Sequence, residues 1–417
     1  MAHSSHHHDI APPKRFELPK GFQTAGIALF VLGLVVFVVG LLMGDDSAER
    51  AWRGYIIGFW FTMSLGLSGP FFIATQYLAK AGWSISIRRI PEAMGAFLYP
   101  VIILGAIALL GVDVLFHWAD HHHAMEDPVV AQKLGFLNFT GISLTTIASA
   151  LIWAGIYFLI RRNSLKQDEV GGYKLFHTNI WLSAGFLLMF VVGFSYMTWY
   201  WIMSFNPHWY STMFSVYAFA GLFQSGLSVM VLVILYLKRR GYFGDTVGTK
   251  HIHDMGKLVF AFTVFYAYIA FSQFMLIWYA NIPEAADWFV QRTENGWGFF
   301  LLILPFIKFI IPFLLLLPQD HKKNKNNILQ YVCGWLIITQ LYEVWLWVMP
   351  YPKIGDSYAP KWPILELPIA LGFVGLFMVV VGKALAKHNL VPLKDPFLGE
   401  SIPHSHDDLI YPNGKPE

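Results

Sequence analysis

The sequence is poor in the residues that hold metal-bound and disulfide-stapled folds together. Of 417 residues one is cysteine, Cys333, and only 13% are charged. A single thiol forms neither an intrachain disulfide nor a four-thiolate cluster, which excludes iron–sulfur and structural zinc sites built by this chain alone. The 16 histidines lie almost entirely in the termini, in the loop "HHH" at 121–123, or at the ends of apolar segments, as His177 does. Imidazoles deep within helices, which serve as the axial ligands of a diheme cytochrome, are missing, so no haem and no metal site is expected in this chain. The loop "HHH" beside Asp120 reads as a wet loop. Long polar stretches are scarce too: loops 118–133 and 281–296 are too short for a folded module.

What remains is apolar. Hydrophobic residues make up 56% of the chain and aromatics 17%, with a mean hydropathy of +0.51. That is a membrane composition. A helix needs about 20 apolar residues to cross a hydrocarbon core of about 30 Å. Ten such segments are expected, near 22–43, 54–79, 93–117, 134–160, 178–204, 210–237, 254–280, 297–317, 328–350 and 364–386. Alternating barrel-type strands are absent, so the fold class is an all-α polytopic membrane protein. The polar arm 1–21 precedes a span that carries no small-residue cleavage site and reads as retained. The tail 387–417 follows the last span.

Charge sets the expected orientation. Arg88, Arg89, Arg161, Arg162, Lys238, Arg239, Arg240, Lys322, Lys323 and most other cations fall on one side. The other side holds only Arg50, Arg53, Lys133, Arg292, Lys353 and Lys361. The positive-inside rule then puts both termini in the cytoplasm.

Two stretches echo each other. "TWYWIMSFNP" closes the fifth span with Trp199, Trp201 and Met203, and "VWLWVMPYP" closes the ninth with Trp345, Trp347 and Met349. "PEAMG" at 91–95 and "HDMG" at 253–256 each place an acid and a Met-Gly pair at a span entrance, and "LSG" at 67–69 faces "SGLS" at 225–228. These pairs predict two similarly oriented four-helix bundles, about 54–204 and 210–350, flanked by spans one and ten.

Ionisable groups inside hydrocarbon are costly and mark function by default. Lys308 lies about 11 residues, roughly 16 Å, inside the eighth span, between Pro305 and Pro312. Those prolines free backbone carbonyls that could coordinate its ammonium group. Glu343 is expected to pair with it from the ninth span, either as structural glue or as a proton relay. Within "HIHDMGK", His253, Asp254 and Lys257 form a cluster that could collect protons, or a plain helix start with a salt bridge. Asp113 and His117, one turn apart, with Asn138 nearby, are the candidate quinol contact, because quinol oxidation needs proton acceptors. Trp199, Trp201, His208, Trp209, Trp345, Trp347, Tyr351 and Tyr358 are expected to form an aromatic platform for partner proteins, set against a lipid-facing aromatic belt.

With ten spans, two bundles and the strings "TWYWIMSFNPHWYSTMF" (198–214) and "IWYANIPE" (277–284), the chain resembles the ActF-type membrane subunit of bacterial alternative complex III. That subunit belongs to the wider NrfD/PsrC-like family. The resemblance implies a cofactor-free subunit of a quinol:cytochrome c, or other acceptor, oxidoreductase in the bacterial inner membrane. It also implies a sister membrane subunit of the same fold, and partners carrying haem c and iron–sulfur clusters. Quinol would be the substrate of the complex, lipid a further partner, and no nucleic acid is involved. Two rival classes stay open: a free-standing secondary transporter, whose broken helix would be Pro305–Lys308–Pro312, and a subunit with its own quinol site.

Overall fold

A computed structural model describes residues 15–293, 296–350 and 360–402. All regular structure among the described residues is helical. Ten helices are long and apolar enough to cross a membrane: α1 Lys20–Leu42, α2 Asp45–Leu78, α3 Arg89–Leu115, α4 Phe139–Val170, α5 Lys174–Phe205, α6 Met213–Arg239, α7 Thr249–Ala280, α8 Gly298–Leu316, α9 Lys325–Val348 and α10 Glu366–Ala386. The chain is therefore an all-α multi-pass membrane protein. The end bearing Arg88, Arg89, Arg161 and Arg239 is called the basic end, and the end bearing Trp201, Trp209 and Trp347 the aromatic end.

Burial sorts the helices. The most apolar window of α2 is 94% buried and that of α6 is 78%, whereas α1 and α7 bury 17% and 22%. Apolar side chains gain nothing by leaving lipid, so the outer helices keep theirs facing outward and the two inner helices carry small and polar residues for close packing. Helix α2 packs on α3 and α5, and α4 closes that ring by touching both; α6 packs on α7 and α9, and α8 closes a second ring. The rings meet where α2 and α5 touch α6 and where α2 touches α9. Helices α1 and α10 lie against each other at the side of α2. Their seam is made by glycines: a Cβ on Gly33 would meet the Cα of Gly372 at 2.6 Å.

Several boundaries differ from those expected. Helix α2 begins at Asp45, a turn or more before the apolar run, because Glu49 and Arg53 pair along it and are both buried. The loop after α7 folds as an amphipathic helix, Pro283–Thr293, which turns Trp288 and Arg292 inward. That helix anchors the aromatic end. Arg292 donates to the carbonyls of Leu346 (3.1 Å) and Trp347 (3.0 Å), and Arg53 donates to that of Val348 (2.6 Å). Two buried guanidinium groups thus satisfy the free carbonyls at the C-terminus of α9, where the helix dipole is negative.

Candidate functional site

The second ring encloses the expected ion pair. Lys308 of α8 and Glu343 of α9 are both fully buried and in direct contact. Sequence reasoning missed the residues that complete the centre. Tyr266 of α7 donates to a Glu343 carboxylate oxygen at 2.5 Å, and Tyr217 of α6 donates to the same oxygen. The two tyrosine hydroxyls stand 3.3 Å apart. The Lys308 ammonium donates to Gln340 Oε1 at 2.5 Å, and it sits 4.1 Å from the centre of the Tyr266 ring. All four helices of the ring therefore converge on one carboxylate and one ammonium group. The sequence signal for the missing partners is faint, since tyrosine and glutamine in an apolar helix look like interfacial or filler residues.

Backbone geometry explains how the lysine reaches inward. Residues Phe306–Ile310 form a π-helical turn in which Ile311 N–H reaches back to the Phe306 carbonyl. Such turns widen a helix locally and are frequent at functional sites. The next residue, Pro312, has no N–H to continue the ladder. The indole of Trp335 supplies the missing donor, bonding the Ile307 carbonyl at 2.6 Å. The prolines thus act differently from expectation: the ammonium is held by side chains, and a carbonyl left open by the break goes to Trp335. Gly221 of α6 makes room for Gln340, because a Cβ there would stand 2.5 Å from Gln340 Oε1.

Polar residues continue from this centre in both directions. Toward the basic end Gln224 donates to Thr263 at 3.0 Å, joining α6 to α7, and the Gln224 carbonyl oxygen is buried with no hydrogen-bond partner. Toward the aromatic end Gln273 reaches Ser211 at 3.4 Å. At the rise of a helix, Gln224 lies about 10 Å from Tyr217 along α6.

The other expected sites fare unevenly. Asp254 and Lys257 do pair, at 2.7 Å, but both keep solvent exposure, and His253 is half-buried beside them. Asp113 and His117 do not share a helical face. The helix stops at Leu115, Phe116 is extended (φ −116°, ψ 127°), and His117 opens a separate 3₁₀ turn. Asn138 caps α4 through Gly141 N–H at 2.7 Å while its amide donates to the Leu134 carbonyl, so its side chain is spent on the helix start.

The aromatic platform is largely internal, which corrects its reading as an open surface. Trp201 is buried and donates to Thr146 Oγ1 at 2.8 Å. Trp209 is buried, stacks on Trp288 and donates to the Ala285 carbonyl at 3.0 Å. Trp347 is buried with its ring 5.5 Å from that of Tyr217, forming a roof over the ion pair. Trp345 is nearly buried and Trp199 half-buried. His208 stays exposed and pairs with Asp127 at 2.6 Å. Tyr351 and Tyr358, like the His-rich termini, lie outside the described residues.

A second buried charged centre, absent from the sequence reading, occupies the basic end of the first ring. Arg89 bridges Glu92 (2.6 Å) and Asp168 (2.5 Å), and Ser164 also donates to Glu92. Next to it Arg88 pairs with Asp395 and lies over the ring of Tyr77. Among the described residues no group of three His, Cys, Asp or Glu side chains is placed to hold a metal ion. No protein-family model matches the chain, and a search of the curated proteins finds no match.

Proposed function

We propose that this chain is a membrane subunit of a respiratory quinol:acceptor oxidoreductase, and that its Lys308–Glu343 centre takes up and passes protons. The observation that carries the second half is a fully buried ammonium–carboxylate pair held by two tyrosine hydroxyls and one amide. Desolvation penalises both charges while their mutual attraction favours them, and transfer of one proton from the ammonium to the carboxylate would leave a neutral pair. Tyr217 and Tyr266 can each donate to the carboxylate, or accept from the carboxyl once it is protonated, and so extend the exchange toward α6 and α7. The Gln224–Thr263 and Gln273–Ser211 pairs mark a path in each direction, with water needed to bridge the intervals. The assignment to a quinol-oxidising complex rests on the resemblance of the two aromatic strings. The excess of Lys and Arg supports a basic end in the cytoplasm.

The secondary-transporter reading draws on one feature, the π-helical break around Lys308. One experiment separates the two. In membranes containing the assembled complex, Glu343→Gln should leave quinol oxidation within about twofold and reduce the protons moved per electron at least tenfold. Unchanged proton movement would sink the relay. A chain that purifies alone, without haem-bearing partners, would sink the complex. For orientation, cysteines placed at 281–296 should react with an impermeant reagent on intact cells, and those at 162–176 should not.

A further inference from the structure

A cavity of about 500 Å³ opens at the basic end between α3, α4 and α10. Its charged lining is Arg161, Arg162, Lys383 and Lys387, with the imidazole of His388 beside them, and it includes no carboxylate. The buried acids at this end of the molecule are committed to other cations. Glu92 and Asp168 are held by Arg89, and Asp395 by Arg88. Arg161 is fixed by neutral acceptors only, the Tyr157 hydroxyl at 2.8 Å and the Ala384 carbonyl at 3.2 Å, which aim the guanidinium without cancelling its charge. The site is short of negative charge. Burial, and then Arg161, Arg89 and Lys387, hold the His388 imidazole below its usual range against the pull of Glu92.

The wall of the cavity facing mid-membrane is apolar. Tyr99 of α3 and Phe158 of α4 line it, and the faces they stand on continue toward mid-membrane outside the cavity as exposed Ile103, one turn from Tyr99, and exposed Leu151, two turns from Phe158. A soluble anion would use the cations and leave this wall bare. A molecule with an anionic head and acyl chains would cover both. Clusters of Lys and Arg between transmembrane helices recognise lipid head groups in this way.

We propose that this cavity is a binding site for an anionic phospholipid. The head-group phosphate lies among Arg161, Arg162, Lys383 and Lys387, and the acyl chains run along the α3 and α4 wall. Bound there, the lipid supplies the negative charge that no protein group provides and ties α10 to α4.

Native mass spectrometry of the full chain with phosphatidylglycerol or phosphatidylcholine tests this. One phosphatidylglycerol should be retained per chain in preference to phosphatidylcholine. Arg162→Gln with Lys383→Gln and Lys387→Gln should weaken retention about a hundredfold, at roughly fivefold per cation. Lys387→Gln alone should weaken it about fivefold, which gives a milder variant should the triple one fold poorly. A control with the same loss of charge elsewhere, Lys166→Gln with Lys174→Gln and Arg240→Gln, should retain the lipid as the unaltered chain does. Equal loss in the triple variant and the control would overturn the site in favour of diffuse attraction. So would equal retention of phosphatidylcholine. Displacement of the lipid by free glycerol phosphate at matching concentration would show a site for a soluble anion instead.

Discussion

The two rings carry their buried charge in different chemistry. In the first, at the basic end, Arg89 shares its fork between Glu92 and Asp168, with Ser164 as an added donor. In the second, deep within the helices, a lysine faces one carboxylate, and the remaining contacts are neutral hydroxyl and amide groups. A guanidinium cannot give up its proton in a protein and matches carboxylates in a planar, bidentate fashion. An ammonium can lose its proton, and tyrosine can pass one. The first centre is thus a lock, and the second is chemically able to change state. Burial alone does not make a site functional; what decides is whether the partners can exchange protons.

The sharpest way to break that comparison is to strand a charge. Lys308→Met should destabilise the chain by about 3–5 kcal/mol, because Glu343 is left buried and unpaired. Lys308→Met combined with Glu343→Leu should recover a large part of the loss, although Gln340 then lacks its donor and Tyr217 and Tyr266 keep only each other. Thermal midpoints in detergent check this, and a double variant less stable than the single one would contradict it. At the other centre, Arg89→Lys keeps the charge but loses the fork, and should cost roughly 2–3 kcal/mol, on the scale of one charged hydrogen bond. Proton movement should be unaffected by that change, so a loss there would erase the distinction between lock and relay. Gly221→Ala presses a methyl group on Gln340 and should cost about 1–2 kcal/mol, within the range for overpacking. If it also slows proton movement, Gln340 is part of the relay.

The smallest effect belongs to an exposed pair, His208 with Asp127. His208→Gln should cost under about 1 kcal/mol at neutral pH. Burial pushes the Asp127 carboxyl up, but the amides of Val130 and Val129 together with His208 outweigh it and hold it below the usual carboxylate range. Its folded value is depressed, so its contribution is present above the ordinary carboxylate value and fades as pH falls through the lowered one. Hydrogen exchange of residues 127–137 against pH reads this directly.

How much of this was legible in the sequence depended on contrast. Lys308 and Glu343 stand out because a charge within an apolar run has no local excuse, and their pairing was correctly expected. Arg89 and Glu92 sit where a span begins, so they look like ordinary solvated residues until the fold places Ser164 and Asp168 against them. The ten spans were readable from hydropathy. The inward turn of Trp201, Trp209 and Trp347 was not, because the same indoles suit a lipid interface and a packed core equally well. The break at Phe116 was also hidden. It undid the helical-face argument for Asp113 and His117, and no proline or glycine stands there to announce it.

The clamp on α9 has a further consequence. With Arg292 and Arg53 gripping the carbonyls of Leu346, Trp347 and Val348, the helix that carries Glu343 is moored at one end and resists sliding or rotation. Helix α8 has the opposite character, with a π turn and a proline within one short stretch. A widened turn can return to a regular one by shifting a single residue of register, and that would swing whatever side chain the turn carries. If the pair opens as the proposed relay requires, the mobile partner is expected to be the lysine, with the carboxylate as the fixed post.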